Sequence, residues 1–181
     1  MRWMIASDLH GSAYYCEALL RAFTKERAER LVLLGDLLYH GAGNELPREY
    51  DPRQVASMLN GVKDRIFCVR GNCDAESDQA ALEFPMLADY GVFPWGKRLV
   101  YVTHGHRFNL QNLPPLQPGD ILMHGHTHVP AWQEFGAGSF YVNPGSVSLP
   151  KENSAHGYLL LTPEGGQWKD LSGNLYHELE L

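Results

Sequence analysis

The first half of this 181-residue chain alternates short apolar runs with helical stripes, and that alternation limits the folds open to it more than any other feature. Residues 3–7 (WMIAS) form a short apolar run, as expected of a buried strand. Cys16, Leu19, Leu20 and Phe23 then recur at i, i+3, i+4 and i+7, which marks one face of a helix. Residues 31–34 (LVLL) give a second buried strand. Asp51-Pro52-Arg53-Gln54 predicts a helix start, with Asp as N-cap, Pro at the first helical position and Gln three residues after the cap. Val55, Met58 and Leu59 supply that helix's apolar stripe and Gly61 its end, and residues 66–69 (IFCV) are a third strand. The βαβαβ order predicts a largely parallel central sheet.

The second half changes character. Residues 98–103 and 121–123 read as strands. Residues 134–141, interrupted by Gly136-Ala137-Gly138, read as a hairpin, and residues 158–161 with Trp168 onward form another about Pro163-Glu164-Gly165-Gly166. Leu175, Leu179 and Leu181 alternate with Tyr176, Glu178 and Glu180, the pattern of a half-buried strand. No long linker separates the halves, so one domain over residues 1–181 is expected, with layered sheets and helices outside. Apolar fragments at Phe93-Pro94-Trp95 and Trp132 are suited to closing the core or to packing a homo-oligomer interface.

Charge excludes one broad class of function. The formal net charge is -6, a poor basis for gripping a nucleic-acid backbone through an extended basic surface. If the chain handles phosphate, a bound divalent cation is the natural source of positive charge. Three cysteines without paired spacing show neither a disulfide framework nor a zinc ribbon. Asp8 comes too early for a signal-peptide apolar region, and no apolar run approaches a membrane span, so a reducing, cytoplasmic setting is expected.

The polar residues cluster just after the apolar runs. The first strand leads into Asp8-Leu9-His10 and the second into Gly35-Asp36. The third leads into Arg70-Gly71-Asn72-Cys73-Asp74, the next into His104-Gly105-His106, and residues 121–123 into His124-Gly125-His126-Thr127-His128. Five strands thus deliver metal-capable side chains at their carboxyl ends, where open α/β sheets place their sites. The glycines allow sharp turns and close backbone approach. A set of carboxylates, imidazoles and one amide suits Mn²⁺, Fe, Zn²⁺ or Co²⁺ rather than a thiolate-held zinc. It is too many ligands for one ion, so two ions sharing a carboxylate are expected.

Asp8-x-His10, Gly35-Asp36, Gly71-Asn72, His104 and Gly125-His126-x-His128, in this order, resemble the calcineurin-like metallophosphoesterase superfamily. The GNCD at 71–74, the THGH at 103–106 and the NPGSVS at 143–148 look like the bacterial YfcE-type phosphodiesterases. The resemblance implies an α/β fold, a four-layered α/β/β/α sandwich of two mixed sheets flanked by helices. It implies that Asp8, His10 and His128 hold one ion, that Asn72, His104 and His126 hold the other, and that Asp36 bridges them. The expected activity is metal-dependent hydrolysis of a small phosphodiester or nucleotide by hydroxide held between the ions, with Mn²⁺ the favoured metal. A phosphomonoesterase or protein phosphatase, and a metal-binding scaffold like the eukaryotic membrane-trafficking subunit of the same fold, are the alternatives.

One position departs from the superfamily's commonest pattern. Cys73 stands where many members carry the histidine that protonates the leaving group. A thiol is a poor acid for an alkoxide, which suggests either good leaving groups or an acid from elsewhere, with His106 nearest by motif. Arg70 is placed either on the substrate phosphate or in an ion pair with Asp74. His124 is either a support for the ligands or a solvated side chain. His40 and Asn44 either line a substrate mouth or belong to a plain connection, and His156 and His177 fall in the β-rich tail.

Overall fold

The computed structural model describes all residues from Met1 to Leu181. Two mixed β-sheets pack face to face. The first has six strands in the order β11-β10-β9-β1-β2-β3, and the second five in the order β4-β5-β6-β8-β7. In chain order the first sheet takes β1 (Trp3–Ala6), β2 (Arg30–Leu33), β3 (Ile66–Cys68), β9 (Gly157–Thr162), β10 (Gly165–Asp170) and β11 (Leu175–Glu180). The second takes β4 (Tyr90–Trp95), β5 (Arg98–Thr103), β6 (Ile121–Met123), β7 (Ala131–Glu134) and β8 (Phe140–Asn143). The expected parallel core is present: β1 pairs in parallel with β2 and β2 with β3, while β5, β6 and β8 run parallel in the other sheet.

Side-chain alternation divides the first sheet between two cores. Met4, Ala6, Leu31, Leu33, Tyr158 and Leu160 face outward onto helices α1 (Ala13–Lys25) and α2 (Pro52–Asn60). Ile5, Val32, Leu159, Leu161 and Trp168 face the second sheet and meet Phe93, Trp95, Val100, Val102, Ile121, Met123 and Val142. A strand buried on both faces must be apolar throughout, which is why these segments read as continuous runs. Both helices begin on side-chain caps: Ser12 Oγ accepts from the Tyr15 N–H, and Asp51 Oδ1 from the Gln54 N–H.

Two features differ from expectation. Both α-helices lie on the six-stranded sheet. The outer face of the other sheet, with Tyr101, Leu122 and Tyr141, is covered by irregular chain, and the Tyr101 hydroxyl donates to the Pro115 carbonyl. The second is β4, a strand not expected from the sequence, whose pattern Gly91 and Pro94 interrupt. It is an edge strand, where a missing N–H is tolerated, and it buries Phe93 and Trp95 between the sheets. Trp132 remains exposed and stacks on His177 at 3.7 Å. His156 stacks on Tyr15 at 4.0 Å. No helix is long and apolar enough to cross a membrane.

Candidate metal centre

The carboxyl ends of β1, β2, β3, β5 and β6 converge on one point. The loop after β1 is laced to the loop after β2: the Asp8, His10 and Gly11 N–H groups donate to the carbonyls of Gly35, Asp36 and Leu37. The buried Asp74 carboxylate ties the β2 and β3 loops together by accepting from the Asp36, Leu37 and Gly71 N–H groups at 2.8, 2.9 and 2.7 Å. Gly71 is required by close approach, since a Cβ there would collide with the Asp36 carboxylate and amide. Gly125 is required likewise, by the side chains of Ser7 and Asp8.

Asp8, His10 and His128 present ligand atoms within 4.8 Å of one another, and so do Asp36, His104 and His126. Asp36 Oδ2 stands 3.6 Å from His10 Nε2 and 3.2 Å from His104 Nε2, between the two groups. Asn72 Oδ1 lies 3.0 Å from His104 Nε2. The seven residues named from the sequence are therefore brought together, and His10 and Asp36 also form a third such group with Cys73. Asp8, His10, Asp36, His104 and His128 are buried, while Asn72 and His126 form the mouth.

Three of these imidazoles have a defined orientation. Nδ1–H of His10 donates to Tyr39 O at 2.9 Å, that of His104 to Leu34 O at 2.6 Å and that of His128 to Leu149 O at 2.7 Å. Carbonyls only accept, so in the neutral rings, the form that binds a metal, each Nε2 turns a lone pair into the cluster. There His10 Nε2 meets His128 Nε2 at 3.2 Å, and His126 Nδ1 meets His104 Nε2 at 3.2 Å. Asp8 Oδ1 is buried 3.3 Å from His128 Nε2 and makes no hydrogen bond. Acceptors crowded against acceptors, out of water, are what a divalent cation resolves. The residues fit the expected ions.

Without an ion, protons fill that need. Burial lowers the His104 pKa, but hydrogen bonding to Asp36 and the charges of Asp8 and Asp36 outweigh it and push the value up to about 9. Burial raises the Asp8 carboxyl, yet His10, His128 and His104 hold it well below the usual carboxylate range.

Sequence reasoning missed the supports. The Asp8 carbonyl accepts from Ser146 Oγ at 2.8 Å and Ser148 Oγ at 3.0 Å. Asn143 donates to Gly125 O, Thr127 Oγ1 and the Tyr141 hydroxyl, so the NPGSVS stretch holds Asp8 and the HGHTH turn together. That stretch reads as a turn by composition, and nothing in its residue types shows which carbonyl the serines reach. His124 is buried rather than solvated, its Nδ1 2.8 Å from Gly125 O and its ring 4.4 Å from Tyr141. The Arg70–Asp74 ion pair does not form, because the Asp74 carboxylate is occupied by three backbone amides. Arg70 Nε instead donates to the Asp74 carbonyl at 3.1 Å.

Cys73 and His106 flank the cluster. The Cys73 N–H donates to Asp36 Oδ1 at 2.8 Å, and its Sγ lies 3.5 Å from Asn72 Nδ2. Burial, Asp36 and Asp74 push its thiol up to about 12. The His106 ring is centred 5.4 Å from that of His104, and burial, with His104 and His126, lowers its pKa from 6.5. His40 and Asn44 lie together in the loop after β2, Asn44 Nδ2 donating to His40 O, and that loop reaches Cys73 through Gly41. A cavity of about 670 Å³ lies at the start of β5 among Trp95, Arg98 and Asp120, at the other end of that strand from the cluster.

Two mixed sheets with carboxylate, imidazole or amide side chains gathered at five strand ends define a metallophosphoesterase fold. The chain belongs to the calcineurin-like phosphoesterase superfamily, whose domain model matches residues 1–166. It is 45% identical over 161 residues to Phosphodiesterase YfcE of Escherichia coli K12, covering 89% of this chain and 87% of that protein. The solved structure of YfcE, described as a phosphoesterase from E. coli, superposes with a TM-score of 0.95 at 40% identity over 99% of both chains. A zinc complex of Vps29 from Entamoeba histolytica matches with a TM-score of 0.62 at 19% identity over 99% of both chains, a likeness of fold alone.

Proposed function

We propose that the chain, acting as one domain over residues 1–181, is a metal-dependent phosphodiesterase for a small phosphodiester or nucleotide. The observation that carries this is the buried ring of mutually facing acceptors, with the Asp8 Oδ1 orphan among them. Asp8, His10 and His128 would hold one divalent ion and Asn72, His104 and His126 the other, with Asp36 shared. Mn²⁺ is favoured over Zn²⁺, Fe or Co²⁺ on availability, since affinity alone ranks Mn²⁺ low. Bound there, two such ions supply Lewis acidity toward phosphoryl oxygens and a source of hydroxide near neutral pH.

The chain's own residues do the rest. Asn72 turns its oxygen to the cluster, which leaves Nδ2 outward as a donor for a phosphoryl oxygen. Arg70 donates its Nε–H to the Asp74 carbonyl, which leaves its Nη groups to join Asn72 and His106 on the phosphate. The Cys73 thiol keeps its proton. A neutral His106 carries one N–H, enough to hydrogen-bond a departing oxygen but not to protonate it fully. Without a strong acid the site works on esters whose alcohols leave readily. The 45% identity to a phosphodiesterase over most of both chains supports the diester rather than the monoester reading.

The test is hydrolysis of a chromogenic diester and its matching monoester by chelator-stripped protein, with each metal added back in turn. Restored diester cleavage, with much weaker monoester cleavage, is expected. Asp36→Asn should abolish it and reduce bound metal; near-normal turnover with two ions bound would overturn the assignment.

A further inference from the structure

A cavity of about 350 Å³ opens beside the metal centre, between the 105–112 turn and the HGHTH stretch. His106 and His126 form its wall toward the cluster, Leu110 and Gln111 its outer wall, and the Tyr141–His124 pair its floor. No Lys, Arg, Asp or Glu lines it. Arg107, adjacent in sequence, is exposed and engaged by the Asp89 carboxylate at 2.7 Å.

The turn is a preformed wall. Asn109 Nδ2 donates to Gly105 O, while its Oδ1 accepts from the Gln111 and Asn112 N–H groups. The Asn112 carboxamide donates in turn to Arg107 O. Gln111 is exposed, and its carboxamide makes no hydrogen bond within the chain. The cavity is therefore ring-sized and lined by three imidazoles, two carboxamides, Leu110 and Tyr141, with no ammonium, guanidinium or carboxylate, and it shares His106 and His126 with the reaction centre.

We propose that this cavity is the subsite for the departing alcohol of the diester, and that it selects an uncharged, ring-sized arm over an anionic one. The proposal rests on the diesterase reading above. An arm leaving phosphorus past His106 enters the cavity directly. An anionic arm entering it loses hydration and meets no Lys or Arg to pair with, whereas an uncharged ring packs on Leu110 and the Tyr141–His124 floor and can bond to Gln111. One class of small diester, that with a neutral aryl or nucleoside-like leaving alcohol, is thereby preferred.

The experiment compares two methyl phosphodiesters in metal-loaded protein, one leaving as 4-nitrophenol and one as a carboxylated nitrophenol, each rate normalised to its hydroxide-catalysed reaction. The uncharged arm should be favoured by about tenfold in kcat/KM, and Gln111→Lys should remove most of that preference by rescuing the anionic arm. Equal normalised rates in the parent protein, or a preference that Gln111→Lys leaves intact, would overturn the subsite. A second readout needs no turnover. Methyl 4-nitrobenzylphosphonate, with a methylene in place of the leaving oxygen, should shift the Leu110 and Gln111 amide resonances of Zn²⁺-loaded protein. Shifts confined to the loop containing His40 and Asn44 would also overturn it. If neither diester is cleaved with any metal, the diesterase reading fails instead, and the phosphonate titration still decides whether the cavity takes an uncharged ring.

Discussion

Asp8, His10, Asp36, His126 and His128 all have left-handed backbones, with φ of 60, 47, 55, 68 and 61°. Such a conformation costs an L-residue on the order of 1 kcal/mol, and it persists only where the surroundings over-determine it. At Asp8 the surroundings are the hydroxyls of Ser146 and Ser148 on its carbonyl. Replacing both serines by alanine should weaken one of the two bound ions by about tenfold and leave the other nearly unchanged, as metal titration by calorimetry would show. Equal weakening of both ions would place the effect in the fold rather than at Asp8. Cys73→Ser should leave the metal-restored rate and its pH profile unaltered. A lost or shifted pH limb would mean that the thiol takes part.

At the scale of elements, the sequence was most legible where a side chain's environment is uniform. Strands β1, β2 and β9 are apolar on both faces, and α2 carries its start signal in Asp51, Pro52 and Gln54, so each could be read directly. The polar cluster at the strand ends was legible for a related reason: a carboxylate or imidazole directly after a buried strand has few bland explanations when five strands repeat it. Strand β4 was hidden because its edge position permits Pro94, which in a central strand would forbid pairing. The supports were hidden because they act across the fold. Asp74 serves the loop after β2, and Ser146 and Ser148 serve a carbonyl in the loop after β1. Neither distance along the chain nor residue type encodes such partners.

The end of α1 offers a pH test at the same scale. Glu26 accepts from Lys169 Nζ and the Tyr158 hydroxyl, both at 2.8 Å, which joins α1 to β9 and β10. Burial raises its pKa, but Lys169, Tyr158 and Arg2 outweigh that and lower it from 4.5. The stabilisation is therefore complete above the unfolded value and is lost as pH falls through the lowered folded value. Glu26→Gln should melt below the parent protein near neutrality, and the gap should close in thermal melts as pH falls below the ordinary carboxylate range. A gap constant with pH would mean that the charge contributes nothing.

For the whole molecule, the two sheets are joined through Trp168, which is fully buried and donates its indole N–H to the Asn143 carbonyl at 2.7 Å. The side chain thus belongs to the inter-sheet core and also touches the segment that secures the site. Trp168→Ala should cost about 3–5 kcal/mol in denaturant unfolding. It should also weaken metal binding through Asn143. A variant destabilised to that extent with unaltered metal affinity would show that sheet packing and site geometry are independent.

The placement of β1 has a consequence for how the chain is made. It lies inside the six-stranded sheet, with β2 on one side and β9 on the other. During synthesis β2 is available early, but the partner for the other edge comes only with Gly157–Thr162. Until then the strand carrying Asp8 has one row of backbone groups without its partner, and Ser146 and Ser148 have yet to reach Asp8. The ribosome therefore delivers Asp8 and His10 long before the chain can fix them in place. The nascent protein must keep an open sheet edge soluble until Gly157–Thr162 emerges, and any metal held through Asp8 must follow that pairing.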